Sequence, residues 1–310
     1  MNEKAKFAIY KSRWTLRKLY EKITGKACIY HKISKKRILT PEDANAMIYR
    51  ALMSEKPFAC VRYGMAEIGC AMGMDQDKFY GTNILPTKMK VLGPFEEKAE
   101  VARWLSMVEQ DSKEIDLCAV WFRSLMEDWV YQKYAVNADF FHCRALEPYY
   151  FAHPWSEALA GKKVLVINPF DELIRQQYEK RELLFANKSI LPEFTLLTMP
   201  SVWYIQKGSN PQFKDWFEAM EYMKSQLKQY EFDVAIIGCG PFGFHLAGEV
   251  KRMGKQAVVL GGAVQILFGI KGKRWDDYAP VKCLYNEFWI RPEQNSKPKG
   301  AQILDKGCYW

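Results

Sequence analysis

The sequence predicts an α/β protein built on a Rossmann-like, mostly parallel sheet with helices on both faces. Short apolar runs rich in Val and Ile alternate with helical patterns between residues 58 and 260. Successive residues of these runs are apolar, which is typical of strands buried on both faces of a sheet. Strands and helices that alternate in this way form parallel sheets, and ligands bind beyond the carboxyl ends of such strands.

Local sequence signals mark where the predicted helices and strands begin and end. Thr40-Pro41-Glu42-Asp43 predicts the start of a helix that runs to about Ser54, because Thr is a good N-cap and Pro fits the first turn. Strands are predicted at residues 58–61, 117–121, 163–167, 195–198, 232–237 and 256–260. Further helices are predicted at residues 171–187, 212–229 and 244–253.

Positive charge is concentrated near the N-terminus. Residues 1–37 hold 12 Lys and Arg against two acids, a net charge of +10, although the whole chain carries only +9. The remainder is therefore close to neutral, which does not favour a nucleic-acid partner. We divide the chain into a basic N-terminal arm, residues 1–37, and a body, residues 38–310.

The arm predicts an amphipathic helix over residues 4–26. Two adjoining apolar stripes run along it with Lys and Arg between them: Ile9, Leu16, Tyr20 and Ile23 on one, and Phe7, Tyr10 and Trp14 on the other. Such a helix either lies on an anionic membrane surface, where each basic residue contributes about 1 kcal/mol of attraction, or packs on the body as an ordinary surface helix.

Cysteine spacing and hydropathy indicate the compartment. The eight cysteines form no CxxC pair and no short Cys/His cluster, so no structural zinc site is predicted. Several lie in apolar runs, as free cysteines of a reducing cytoplasm do. The sequence has no run of about 18 apolar residues and no secretory signal. We expect a cytoplasmic protein, peripheral at the inner leaflet if its arm binds lipid.

A glycine-rich turn follows the strand predicted at residues 232–237. Gly238, Gly240 and Gly243 form a GxGxxG pattern, in which glycines let backbone amides approach a phosphate. A dinucleotide fold also needs an acid at the end of the next strand, where this chain has Gly261 and Gly262. The turn therefore favours some nucleotide or sugar over NAD or FAD, and the alternative is a tight turn that binds nothing.

Gly261 and Gly262 open a second turn of the same kind. Gln265, Lys271 and Arg274 follow it closely. Two glycine-rich strand ends with basic side chains downstream predict a pocket for a diphosphate. Solvated surface lysines are the alternative interpretation.

The strand at residues 58–61 ends in polar residues. Arg62 and Glu67 flank Gly64. So short a turn is expected to direct both charged groups into the crevice beyond the strand end, and the alternative is an Arg–Glu pair that only holds a loop. Asp75 and Asp77 follow with a DxD spacing, which in a loop can hold a divalent cation.

These residues carry a family resemblance. The stretch Arg62-Tyr63-Gly64-Met65-Ala66-Glu67 resembles the Arg-(Phe/Tyr)-Gly-Asp-Gly-Glu motif of bacterial glycosyltransferases with the GT-D fold. Residues 240–275 resemble the C-terminal half of proteins found among bacterial surface-polysaccharide genes, so the similarity covers about residues 40–310. The resemblance implies that residues 38–310 form a GT-D-like glycosyltransferase domain.

The resemblance also implies a substrate and a site. In the family the acids of this motif lie beside the diphosphate of a nucleotide sugar and its metal ion, which gives that place to Glu67, with Tyr63 and Gly64 next to it. The expected donor is a UDP-sugar and the expected acceptor a growing surface glycan on a lipid carrier. Met65 stands where the family has Asp, and a thioether is a poor ligand for Mn²⁺ or Mg²⁺. The chain therefore departs from the family motif at a position that bears on metal dependence.

Glycosyl transfer needs two kinds of group. Basic side chains or a metal neutralise the leaving diphosphate, and a carboxylate or imidazole takes a proton from the acceptor hydroxyl. Arg62, Lys271 and Arg274 are candidates for the first role and Glu67 for the second. His245, in the first turn of the helix after the GxGxxG pattern, is a second candidate base; its alternative is a surface or capping residue.

Two other function classes remain open. The turn at residues 238–243 is also found in Rossmann-like methyltransferases and oxidoreductases. Met65 equally suits a catalytically inactive relative that acts as a scaffold in a glycan-assembly complex.

Overall fold

The fold is built on one sheet. The computed structural model describes residues 2–26, 32–33, 35–121, 125–293, 297–298, 301 and 307–310. The strands in these ranges are β1 (Lys32–Ile33), β2 (Lys36–Leu39), β3 (Phe58–Arg62), β4 (Leu117–Val120), β5 (Asp139–His142), β6 (Lys163–Ile167), β7 (Thr195–Met199), β8 (Val234–Ile237) and β9 (Gln256–Val259). They are ordered β1-β2-β5-β4-β3-β9-β8-β6-β7. The strand pairs are parallel except β1 with β2.

Helices cover both faces of the sheet, as predicted. One face packs against α1 (Glu3–Thr24), α3 (Met65–Tyr80), α4 (Leu85–Leu92), α5 (Lys98–Asp111), α6 (Leu125–Tyr134), α9 (Trp216–Leu227) and α10 (Phe242–Arg252). The other packs against α2 (Pro41–Met53), α7 (Asp171–Tyr178), α8 (Arg181–Leu184), α11 (Ala263–Leu267) and α12 (Ala279–Lys282). The predicted mostly parallel α/β class is confirmed.

The strands are apolar on both sides because each side faces its own core cluster. In β8, Ala235 and Ile237 belong to the cluster under α10, whereas Val234 and Ile236 belong to the cluster on the opposite face. This arrangement explains why the sequence shows continuous apolar runs instead of alternation.

The predicted elements agree with the structure where the signals are local. Thr40 caps α2, its side chain accepting a hydrogen bond from the Asp43 amide at 3.1 Å. The six predicted strands are present, with ends shifted by three residues or fewer. The helix predicted over residues 171–187 is instead two short helices, α7 and α8. Apolar residues of both helices, such as Ile174 and Leu184, pack in the same cluster, so periodicity alone does not reveal the break.

The N-terminal helix packs on the body through one side. Phe7 is fully buried, and its ring centroid lies 4.9 Å from that of Trp129 and 5.5 Å from that of Phe79. The predicted boundary between arm and body, at residues 37 and 38, falls inside β2, which pairs with β5. Within the described ranges, the helices are all too short or too polar to cross a bilayer.

We expect Phe7→Ala to lower the unfolding free energy by about 3 to 5 kcal/mol, because it removes a buried ring from a closely packed aromatic cluster. Leu16→Ala on the same helix should change it by less than about 0.5 kcal/mol, since Leu16 is 66% exposed. Urea denaturation followed by circular dichroism measures both. Equal, small losses would contradict the docking of α1.

Candidate functional site

The candidate site lies at the carboxyl ends of β3, β9 and β8. These three strands are adjacent in the sheet. The turns that follow them contain residues 62–67, 261–262 and 238–243, so the predicted site segments are neighbours in space. This is the edge at which parallel α/β sheets bind ligands.

Arg62, the last residue of β3, lies across the end of β9. Its guanidinium carbon is 4.3 Å from the ring centroid of Trp121, and its Nη1 is 3.5 Å from the carbonyl oxygen of Leu260. Gly261 follows directly, with φ of +59°, and a Cβ there would stand 3.1 Å from the same guanidinium carbon. Burial lowers the pKa of Arg62, but an arginine stays cationic in a protein.

Glu67 lies in the first turn of α3 beside this arginine. Its carboxylate accepts a hydrogen bond from the Gly64 amide in a capping box, and a Cβ on residue 64 would collide with it. Glu67 is only 7% exposed. Burial raises its pKa to about 7, against the opposing effects of the Gly64 amide and of Arg62. The segment predicted as a short turn is thus a helix start that does bring Arg62 and Glu67 together.

A second arginine reaches the same glycine turn from the C-terminal part of the chain. Nη1 of Arg274 is 3.1 Å from the hydroxyl oxygen of Tyr309 and 3.1 Å from where a Cβ on residue 262 would stand. Arg62 therefore lies against Gly261, and Arg274 against Gly262. Two guanidinium groups border consecutive glycines, which is a suitable lining for a diphosphate.

Close packing accounts for Gly238 and Gly243 of the GxGxxG turn, and a left-handed backbone accounts for Gly240. A Cβ on Gly238 would stand 2.5 Å from the carbonyl oxygen of Gly261, and Asn168 Nδ2 donates to the Gly238 carbonyl at 2.7 Å. Gly240 has φ of +56° with open space around it, and Gly243 lets α10 approach the sheet closely. The interpretation as a tight turn without a ligand therefore explains this motif.

Three predicted binding residues, Tyr63, Gln265 and Lys271, contact other groups of the protein. Tyr63 is buried between Tyr131 and Phe244, with its hydroxyl 2.8 Å from that of Ser112. Its side chain thus lies in the core and not at the strand end.

The two downstream candidates lie beside the C-terminal part of the chain. Nε2 of the buried Gln265 donates to the Tyr309 carbonyl at 3.0 Å, and so holds the segment that contacts Arg274. The ammonium of Lys271 is 5.4 Å from the ring centroid of Tyr285. Of the two basic candidates after the turn, the structure places Arg274 against the glycines.

The predicted aspartate pair lies in a helix, not in a loop. Asp75 is buried in α3 and accepts from Lys133 Nζ and Trp129 Nε1, both at 2.8 Å. Asp77 accepts from the amides that begin α4, at 2.9 Å from Ile84 and 3.1 Å from Leu85. Residues two apart on a helix point about 200° apart, so the DxD spacing does not bring these carboxylates to one cation.

The residues present do not fit the divalent ion that the resemblance implies. Met65 packs against the core cluster, and Asp75 and Asp77 are held by other partners. Among the described residues there is no group of three or more His, Cys, Asp or Glu side chains that suits a metal.

His245 is a core residue. It is fully buried, with Nδ1 2.6 Å from Oδ2 of Asp111 and its ring centroid 5.5 Å from that of Trp216. Arg252 pairs with the other oxygen of Asp111 at 2.9 Å. Burial raises the pKa of Asp111, but His245 and Arg252 outweigh this effect and the net pKa is lowered. The structure therefore does not support His245 as a candidate base, because the side chain has no access to solvent, and the alternative of a surface or capping residue is wrong as well.

Three residues near Arg62 were not predicted from the sequence. Trp121 stacks on it, and Tyr309 and Glu147 act on it electrostatically. Burial raises the pKa of Glu147, whose carboxylate accepts from the Tyr149 hydroxyl at 3.1 Å. Trp121 follows a strand and was detectable by the same rule that selected Arg62. Tyr309 and Glu147 carry no comparable local signal.

Comparison with known proteins gives distant structural likenesses. No family model and no curated protein matches the chain. One similar solved structure is described as the highly conserved domain of unknown function 1792, with a distinct glycosyltransferase fold. It has 13% identity, a TM-score of 0.47, and coverage of 83% of this chain and 91% of its own. Another is a selenomethionine-substituted structure of domain of unknown function 1792, with 15% identity, a TM-score of 0.40, and coverage of 73% and 78%. At these scores neither likeness assigns an activity.

The raised pKa of Glu67 makes stability depend on pH. Between pH 4.5 and 7 the folded chain holds a proton that an ordinary glutamate has released, so the unfolding free energy falls as pH rises. Glu67→Gln keeps an acceptor for the Gly64 amide but does not ionise. Between pH 4.5 and 8 we expect the wild type to lose on the order of 3 kcal/mol relative to this variant.

Urea denaturation at several pH values measures this loss, with Glu231→Gln at an exposed position as the control. A difference between wild type and Glu67→Gln that is constant with pH would contradict burial of the ionisable group.

We expect Gly238→Ala to destabilise the fold by about 3 kcal/mol, because its Cβ meets the carbonyl oxygen of Gly261 at 2.5 Å and buried side-chain atoms of Val264 and Asn168 at 2.6 and 2.9 Å. Gly240→Ala should cost only about 1 to 2 kcal/mol, the penalty of a left-handed backbone. Gly254→Ala is the matched control, with φ of +78° and open space. Thermal unfolding distinguishes them, and a Gly238→Ala variant as stable as the control would contradict the close approach of the two turns.

Proposed function

We propose that this protein is a glycosyltransferase that takes a sugar from a nucleotide-sugar donor, a UDP-sugar, and adds it to a growing bacterial surface glycan on a lipid carrier. The observation that carries the proposal is the convergence of Arg62 and Arg274 on Gly261 and Gly262, beside the buried carboxyl group of Glu67.

The two arginines suit the leaving group. When the glycosidic bond of the donor breaks, negative charge develops on the nucleoside diphosphate. Guanidinium groups bind phosphate oxygens through paired N–H donors, and the partly buried Arg62 attracts them more strongly than the exposed Arg274 does. Glycine at residues 261 and 262 leaves room for the two guanidinium groups, because a Cβ at either position would stand 3.1 Å from one of them. These groups neutralise the diphosphate without a divalent ion.

Glu67 suits the acceptor. Its carboxylate takes the proton of the acceptor hydroxyl as the acceptor oxygen bonds to the anomeric carbon. The bond from that carbon to the diphosphate oxygen breaks, and its electron pair leaves with the diphosphate. A base with a pKa near 7 is well matched to this transfer at neutral pH.

The distinct glycosyltransferase fold described for one similar structure agrees with the proposal, which rests on the site of this chain. The packing roles of the GxGxxG glycines disfavour methyltransferases and oxidoreductases, the other nucleotide-dependent enzymes that have such a turn. A catalytically inactive scaffold would have the same donor pocket and would differ from the transferase only in lacking turnover.

The test is donor binding and turnover, by thermal shift and by release of nucleoside diphosphate. The panel contains nucleotide sugars, NADH and S-adenosylmethionine, each with Mn²⁺ and with EDTA. We expect one UDP-sugar to stabilise the protein equally in both conditions. Arg274→Gln should weaken donor binding by about ten- to a hundredfold, and Lys273→Gln, at the exposed neighbouring position, by less than about twofold.

Glu67→Gln should retain donor binding and lose turnover by about 10² to 10⁴. In the wild type, turnover should rise with pH through about 7 as Glu67 ionises. Donor binding without turnover would support the scaffold. Stabilisation by NADH or S-adenosylmethionine alone would support another enzyme class, and no response to any nucleotide would overturn the proposal.

A further inference from the structure

Helix α1 has two apolar sides, and only one of them packs on the protein. Phe7 and Tyr10 contact Trp129, and the indole nitrogen of Trp14 is buried. The other side carries five large apolar residues that are 42% to 73% exposed. We call them the exposed stripe: Ile9, Leu16, Leu19, Tyr20 and Ile23.

Helical geometry places the exposed stripe away from the body. At about 100° per residue, its centre lies roughly opposite the side that carries Phe7 and Trp14. The structure therefore assigns different roles to the two stripes of the sequence. The aromatic side, with the tryptophan, anchors the helix to the body, and the exposed stripe faces outward over nearly the full length of α1.

Basic residues border the exposed stripe on both edges. At about 100° per residue, Lys6 and Arg13 lie directly beside the stripe on one side. On the other side Lys4, Lys11 and Lys22 lie about 60° to 80° beyond it, and all five are exposed. The ammonium groups of Lys4 and Lys11 lie 5.9 and 4.6 Å from the ring centroid of Tyr80.

The acids of α1 lie toward the body and are paired. Glu3 is 3.4 Å from Lys78, and Glu21 is 3.1 Å from Arg17 and 2.8 Å from Lys18. The side of α1 that carries the exposed stripe therefore has no acidic residue. An apolar stripe between two rows of cations complements a leaflet of anionic lipid, in which apolar side chains enter the acyl boundary and cations meet headgroups.

We propose that the exposed stripe of α1 is a membrane-binding surface that lies in the interface of a leaflet containing anionic lipid. Leu16, Leu19 and Ile23 enter the acyl boundary, and Tyr20 places its hydroxyl among the headgroups. The inference does not depend on the proposed transferase activity.

Packing of α1 makes this a rigid attachment. Phe7 contacts Phe79 and Tyr80 at the C-terminal end of α3, and Glu67 lies in the first turn of the same helix. Glu67 in the candidate site is therefore about 18 Å along α3 from the contact of Phe79 with α1. A leaflet that holds α1 fixes the orientation of the site as well.

The test is co-sedimentation of the full chain with vesicles of phosphatidylcholine alone or with about 30% phosphatidylglycerol. We expect binding to the anionic vesicles that weakens as salt rises, and little binding to the neutral ones. Leu16→Gln with Ile23→Gln should weaken binding at least about tenfold. Arg13→Gln with Lys22→Gln should weaken it and flatten its salt dependence.

The matched control replaces two exposed apolar residues elsewhere, Val91→Gln with Leu183→Gln, which are 68% and 47% exposed in the wild type. This variant should bind within about twofold of the wild type. Circular dichroism and thermal unfolding check that each variant remains folded.

Three results would overturn the proposal. These are no binding of the wild type to anionic vesicles, equal losses in the stripe and control variants, or self-association without lipid that the Leu16→Gln, Ile23→Gln variant abolishes. The last result, read by sedimentation velocity, would assign the stripe to contacts between copies of the chain.

Discussion

Burial of both faces of the sheet is the constraint on which the rest of this structure depends. The strands separate two apolar clusters, and each strand contributes alternate residues to both. Water is excluded from both faces, so the strand ends are where a charged side chain can be partly buried and still meet a ligand. Arg62 and Glu67 lie at such an end, and burial of the Glu67 carboxyl group there raises its pKa.

The close contact between the turns after β8 and β9 links packing to chemistry. Gly238 approaches the carbonyl of Gly261, and Gly261 in turn lies under the guanidinium of Arg62. A motif that resembles a phosphate-binding turn thus contributes mainly by positioning the adjacent turn, where the two arginines converge. The candidate pocket is formed by the second glycine pair, supported by the first.

The same principle connects the site with the surface of α1. One side of α1 completes the cluster around Phe7 and Trp129, and this leaves its opposite side exposed. Helix α3 extends from that cluster to Glu67. The site and the exposed stripe are therefore fixed relative to each other by a continuous helix and its packing, although they belong to distant parts of the sequence.

The sequence by itself determined the fold class, the central strands, the start of α2 and the strand-end position of Arg62 and Glu67, because apolar runs, caps and turns are local signals. It also showed both stripes of α1. Only the tertiary structure decided that Arg274 joins Arg62, that Tyr63 and His245 lie in the core, and that Asp75 and Asp77 serve separate partners. It likewise decided which stripe of α1 is exposed. These outcomes depend on contacts between segments far apart in the chain. The helix or strand that packs against a side chain sets its direction, and composition and spacing do not specify that packing.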